Sequence, residues 1–248
     1  MHYTEKLYYS EPFLKECSAK VIHKRNGNEI CLDRTVAYPE GGGQISDIGI
    51  LSFGDIIVPF TDVQKGNGRI FYAPDFPAIH VDTPVYHIVS SADYDRINIG
   101  QELHVRIDVN RRIWTTVHHS AIHLAFMFAM QLRSDLESMI KGANISESSG
   151  RLDFAIADRF TEQEIAYINE NLGKIIADAV PLTVFAHEDE DEAWYWKCND
   201  FVNSCGGTHV TNSKYIGSVL AKRKGLGKGS ERLIVTVSNP ILSEHDYY

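Results

Sequence analysis

The chain has no apolar run long enough for a membrane helix or a signal peptide, and its four cysteines, at 17, 31, 198 and 205, show no dense disulfide spacing. A helical membrane protein and a disulfide-stapled secreted scaffold are therefore not expected. The reducing cytoplasm is the expected compartment, with thiols left free for metal. Positive charge is also scarce: 24 Lys and Arg face 33 Asp and Glu, for a net charge of −9. Holding a long phosphate track requires many cations, so an extended nucleic-acid surface is disfavoured, while contact with one nucleic-acid end is not. No glycine-rich loop leads into the lysine of a nucleotide-triphosphate site. No His-Glu-x-x-His pattern places a general base on a metal helix, which counts against a protease.

At 248 residues and 44% hydrophobic, the sequence can form one large domain or two modest ones with real cores. Up to residue 95, short β-type runs at 18–23, 30–32, 49–52, 56–60, 69–72 and 85–90 alternate with turn residues, which reads as a small β-barrel. Asn26-Gly27-Asn28 and Lys65-Gly66-Asn67-Gly68 are hairpin signals. Beyond residue 96 the pattern changes. A strand at 102–107 leads into a helix at 109–132, apolar nearly all round, and Thr161-Glu-Gln-Glu164 is a capping box opening a second helix that must stop before Pro181. Further strands are expected at 151–154, 182–186, 218–223 and 232–238. The expected fold class is thus α+β: a barrel domain over 1–95, then a domain over 96–248 with helices on a mostly antiparallel sheet.

Chemistry concentrates in two distant half-motifs, His119-Ser-Ala-Ile-His123 and Cys205-Gly-Gly-Thr-His209. Residues four apart on a helix share a face, and paired glycines let a short loop return on itself, so the four side chains can converge on one Zn2+. Buried histidines on an apolar helix also need partners. A second feature is Tyr38-Pro-Glu-Gly41-Gly42-Gly43-Gln44, where consecutive glycines allow backbone amides to approach a ligand and Gln44 offers a donor and an acceptor. The strip 222–232 carries Lys222, Lys224 and Lys228 among glycines and suits phosphate contact. The acidic run 187–192 reads as an exposed loop.

These segments together, Leu32 to Gln44 with Asp47 and Gly49, His119 to Leu124, Arg151 to Phe154, and Cys205 to Val210 with Ile216-Gly217, resemble the editing domain of alanyl-tRNA synthetase in order and spacing. No aminoacylation region precedes them, which points to the AlaX family of freestanding editing proteins, of medium length. The resemblance implies an aminoacyl-tRNA deacylase that hydrolyses Ser-tRNA(Ala), and in some members Gly-tRNA(Ala), with a zinc-binding second domain of the kind shared by threonyl- and alanyl-tRNA synthetases. A second hydrolytic site answers a physical need, because a pocket built for a methyl group rejects an added hydroxyl poorly.

Residue by residue, the resemblance makes His119, His123, Cys205 and His209 the metal ligands. Gln44 and Cys205 become candidate catalytic residues, and Thr35, Gly41, Gly42, Gly43, Gln44, Lys222, Lys224 and Lys228 substrate-binding candidates. The implied partner is the acceptor end of mischarged tRNA(Ala). Three positions depart from the family pattern: Ile45 replaces proline, Ala37 an aromatic, and Ser120 a threonine whose hydroxyl it keeps. Four protein ligands make a closed metal site, whereas catalytic zinc keeps a position open. Two other readings carry the same residues, a non-catalytic zinc-stabilised tRNA-end-binding module and a threonyl-tRNA-type editing domain. The sequence has no signal for oligomeric state.

Overall fold

In the computed structural model, which describes residues 3–227 and 229–248, a closed six-stranded barrel is followed by helices on antiparallel sheet. The first part holds β1 (Glu5–Lys6), the single turn α1 (Leu7–Ser10), β2 (Glu16–Arg25), β3 (Glu29–Leu32), β4 (Arg34–Thr35), β5 (Gly49–Phe53) and β6 (Ile56–Lys65). It continues through β7 (Arg69–Ala73), β8 (Phe76–Val81), β9 (Val85–Val89), the turn α2 (Ser91–Tyr94) and β10 (Glu102–Ile107). The barrel order is β10-β2-β3-β9-β6-β5. The strand that closes it, β10, follows residue 95. Alternating Val21, Ile30, Leu32, Leu51, Val58, Phe60, Val63, Leu103 and Val105 fill the interior, as a closed sheet with one inward face requires.

Asn26 and Gly27 take φ of 56° and 73° and turn β2 into β3, the left-handed turn that this pair of residues favours. Lys65 to Gly68 does not form the hairpin its glycines suggest. β6 pairs with β5 and β9, while β7 leaves to pair with β8 in a separate two-stranded sheet. The reason is steric: a Cβ on Gly66 would lie 2.6 Å from Pro84 Cγ, and one on Gly68 2.0 Å from the Val81 carbonyl oxygen. These glycines serve close packing, not strand reversal.

The second part holds α3 (Val109–Leu132), β11 (Ile140–Ile145), β12 (Gly150–Phe154), α4 (Glu162–Ala177), β13 (Leu182–His187), β14 (Glu190–Cys198), β15 (Phe201–Ser204), β16 (Ser218–Gly227) and β17 (Ser230–Ser238). Asp108 caps α3 by accepting the Arg111 amide, and Thr161 with Glu164 closes the capping box of α4. Both helices pack on the sheet β11-β12-β17-β16, burying Val117, Leu124, Ile168, Leu172, Leu233 and Val235. No described helix is long and apolar enough to cross a membrane.

The acidic run is a hairpin, not a loop. Glu190 and Glu192 lie on β14, 9% and 8% exposed, and pair with Arg69 Nη2 and Lys6 Nζ, each at 2.6 Å. Carboxylates at alternate positions of one strand share a face, and here that face meets the barrel side of the molecule.

Candidate metal centre and cavity

The site starts on α3, whose middle carries the buried Thr116, His119 and Ser120 and the half-buried His123 on successive turns. Facing it is the loop after β15, Cys205 to His209. The helix and loop bring four donors, one each from His119, His123, Cys205 and His209, within 4.8 Å of one another. Cys205 Sγ is 3.4 Å from His119 Nε2 and 3.3 Å from His209 Nε2. Tetrahedral zinc with nitrogen and sulfur ligands puts neighbouring donors roughly 3.3–3.6 Å apart, and the two Cys205 edges already have that length.

Hydrogen bonds behind the donors fix which nitrogens face inward. The Thr208 amide donates to the Gln44 side chain at 3.0 Å, which identifies that atom as Oε1; His119 Nδ1, 2.7 Å from the same oxygen, must then carry a proton, leaving Nε2 free for the cluster. Ser120 Oγ donates to the Thr116 carbonyl and accepts the Val210 amide, both at 3.0 Å, and its remaining lone pair faces His209 Nδ1 at 3.3 Å. The serine hydroxyl thus orients His209. His123 Nδ1 is buried with no hydrogen-bond partner among the described residues, an orphaned polar atom that a metal ion would satisfy. Burial pushes His119 and His209 well below the usual histidine range, with neighbouring imidazoles adding repulsion, and takes His123 to about 4. It pushes the Cys205 thiol up to about 12. Four neutral, desolvated donors are what a dication would bind, its charge drawing the thiol into its thiolate form.

Glycine makes this approach possible. A Cβ on Gly207 would fall 2.1 Å from His119 Cε1 and 2.4 Å from Nδ1. In the other glycine segment, Gly42 and Gly43 adopt φ of 60° and 87° between the mutually bonded Gly41 and Gln44, a tight left-handed turn. Gly43 also sits where a Cβ would lie 2.7 Å from Ala143 Cβ, and its carbonyl accepts the Ile145 amide at 2.7 Å. The turn is therefore docked on β11, and Gln44 reaches from it into the cluster. Sequence reasoning missed Arg112, which is fully buried at the start of α3. It pairs with Asp47 and donates to the Val36 carbonyl at 2.8 Å, while Asp47 accepts the Tyr38 amide at 2.6 Å. The pair Arg111-Arg112 at the start of an otherwise apolar helix was the available signal.

A cavity of about 630 Å³ opens beside the cluster. His119, His123, Cys205, Gly206 and Gly207 form one wall; Gly41 and Gly42 with Tyr38 form another; and Ile122, Phe126, Ala143 and Leu152 line an apolar side. Tyr9, stacked on Trp194 at 5.4 Å between ring centroids, closes the edge near the Cys205 loop.

Other expected site residues lie elsewhere. Gln44 is fully buried and its amide is spent on His119 and Thr208. Thr35 is fully buried on β4, its hydroxyl 2.9 Å from His87 Nε2 and accepting the Ala37 amide, and it does not line the cavity. Lys222 and Lys224 are exposed on β16, the sheet edge opposite the cavity-lining β11. In the same strip Arg223 pairs with Glu231, and Arg232 with Asp153. Lys228 lies outside the described residues.

No protein-family model matches the chain. Curated proteins do. The chain is 30% identical to the alanine–tRNA ligase of Methanococcus aeolicus over 94% of its own length and 28% identical to that of Methanobrevibacter smithii over 93%. It spans only about a quarter of these ligases, 25% and 26%. It is 29% identical to the alanyl-tRNA editing protein AlaX-M of Pyrococcus horikoshii, with 93% of this chain and 96% of that protein covered. That match runs nearly end to end over a barrel joined to a helix-and-sheet unit, so the chain is similar in its whole extent to an AlaX-type alanyl-tRNA editing protein.

Proposed function

We propose that the protein is a trans-editing deacylase that hydrolyses Ser-tRNA(Ala), with Gly-tRNA(Ala) as a second substrate, and that Zn2+ is the ion its cluster takes. The carrying observation is that the four-donor cluster lies in the wall of the cavity, with His119, His123 and Cys205 exposed to the same space as Gly41 and Gly42. When bound there, zinc supplies Lewis-acid polarisation and order to the pocket. The chain's own groups do the rest. Gln44 acts through His119, holding its ring in the tautomer that leaves Nε2 toward the cluster, and so is a positioning residue. Cys205 closes the cage from the loop side. The apolar side, Ile122, Phe126, Ala143 and Leu152, excludes water from all but the reacting end and accepts a flat base. Lys222 and Lys224, remote from the cavity, suit the phosphates of the acceptor stem and not the aminoacyl end.

The test is deacylation of Ser-, Gly- and Ala-tRNA(Ala) and of Ser-tRNA(Thr), with and without chelator. Ser-tRNA(Ala) should be cleared fastest, Ala-tRNA(Ala) spared, and chelation should abolish the activity. If no mischarged species is hydrolysed faster than the blank, the enzyme reading fails.

A further inference from the structure

Apart from histidines, tyrosines and the Cys205 thiol, two ionisable side chains line the cavity among the described residues, Glu192 and Lys65. Glu192 is neutralised: its Oε1 lies 2.6 Å from Lys6 Nζ and accepts the Asp82 amide. Lys65 has no hydrogen-bond or ion-pair partner among the described residues. Burial holds its ammonium below the usual lysine range, and repulsion from Lys6 adds to this more than Glu192 relieves it. Lys65 is half-buried; a cation partly withdrawn from water without a counter-charge is unfavourable, and such groups concentrate where a ligand brings the opposite charge.

The position of Lys65 is built, not incidental. It is the last residue of β6, paired with Val85 and two residues beyond the interior Val63, so the strand period carries it from the barrel's inner face to its rim. The chain is clamped immediately afterwards. The Gly66 amide donates to the Pro84 carbonyl at 2.8 Å, and neither Gly66 nor Gly68 has room for a side chain. Asn67, between them, lines the same cavity.

The cavity therefore offers a metal-ligand wall, an apolar side and one uncompensated cation. An ester, a planar base and a phosphate of one nucleotide match these in turn. We propose that Lys65 binds the phosphate linking the esterified terminal nucleoside to the rest of the RNA, an assignment that rests on the deacylase reading above.

The test compares wild type, Lys65→Met and Lys65→Arg on Ser-tRNA(Ala) and on 2′(3′)-O-seryl-adenosine, which keeps the ester and base but has no phosphate. Lys65→Met should lose about 10- to 100-fold in kcat/KM on the tRNA, chiefly through KM, while Lys65→Arg keeps most of the activity. All three should agree within about twofold on seryl-adenosine. Equal losses on both substrates, or no loss on tRNA, overturn the proposal.

Calorimetric titration of the zinc-loaded protein gives a readout without catalysis. Wild type should bind adenosine 5′-phosphate about tenfold more tightly than adenosine, and Lys65→Met should erase the difference. No preference in wild type, or one that survives in Lys65→Met, overturns it. A wild-type protein that deacylates nothing yet shows this Lys65-dependent preference would remove the deacylase reading and leave the anion subsite standing.

Discussion

Gly207→Ala probes the centre of the site with a single methyl group. Its Cβ would sit 2.1 Å from His119 Cε1, 2.4 Å from His119 Nδ1 and 2.9 Å from Gln44 Oε1. Carbon atoms in contact prefer about 3.5 Å or more, so the ring or the loop must give way by over about 1 Å. Zinc coordination tolerates about 0.2 Å. The imidazole cannot retreat and keep its 2.7 Å bond to Gln44, because the same methyl crowds that oxygen. Loss of one supporting bond of this kind costs about 10- to 100-fold in metal affinity, and displacement of the ligand itself should add to it, so Gly207→Ala should bind zinc at least about 100-fold more weakly. Overpacking should also lower stability by about 1–3 kcal/mol. Competition titration against a chromophoric chelator measures the first, and urea denaturation the second. Gly206→Ala is the control, since its methyl meets only Tyr9, at 3.2 Å from the hydroxyl; it should stay within a few-fold of wild type. Zinc affinity of Gly207→Ala within twofold of wild type would refute the geometry.

Arg112→Met leaves Asp47 buried without its cation and should cost about 3–5 kcal/mol in urea denaturation; a loss under about 1 kcal/mol would show that the pair does not hold the glycine turn against α3. His87, fully buried and taken down to about 4 by burial, stays neutral while the unfolded chain takes up a proton. Its contribution is therefore present above about pH 6.5 and is lost as pH falls toward 4, by up to about 3 kcal/mol. The pH slope of stability should flatten in His87→Gln, and equal slopes would count against this assignment. Lys222→Ala with Lys224→Ala should weaken tRNA binding and reduce its log–log salt slope by about one to two; an unchanged slope would place the stem elsewhere.

The elements most legible in the sequence are those whose local rules and tertiary roles agree. The strand Glu102–Ile107 and helix Val109–Leu132 have the bounds that apolar pattern and the Asp108 cap dictate. The four donors converge as their spacing and the paired glycines allow. What was not legible depends on partners distant in sequence. Gly66 and Gly68 look like turn residues until Pro84 and Val81 are packed against them. Glu190 and Glu192 look solvated until Arg69 and Lys6 arrive from the N-terminal half. Thr35 sits beside a motif that reaches the cavity, yet its strand turns the hydroxyl toward His87. Lys65 has no pattern of its own; its meaning lies in what fails to neutralise it.

An ion at the cluster would join His119 to Cys205 across 86 residues of chain, and that makes it a staple as well as a site. Closing a loop of that length in the unfolded ensemble removes chain entropy equivalent to about 4–5 kcal/mol, of the order contributed by a long-range disulfide. All four cysteines are free, so no disulfide supplies that constraint. The metal can take its place, fastening the loop after β15 to α3 and, through Gln44, to the barrel's glycine turn. Loading would thus tie the assembly of the pocket to the folding of the whole chain, so that the molecules able to act on substrate are those whose two halves have already closed on each other.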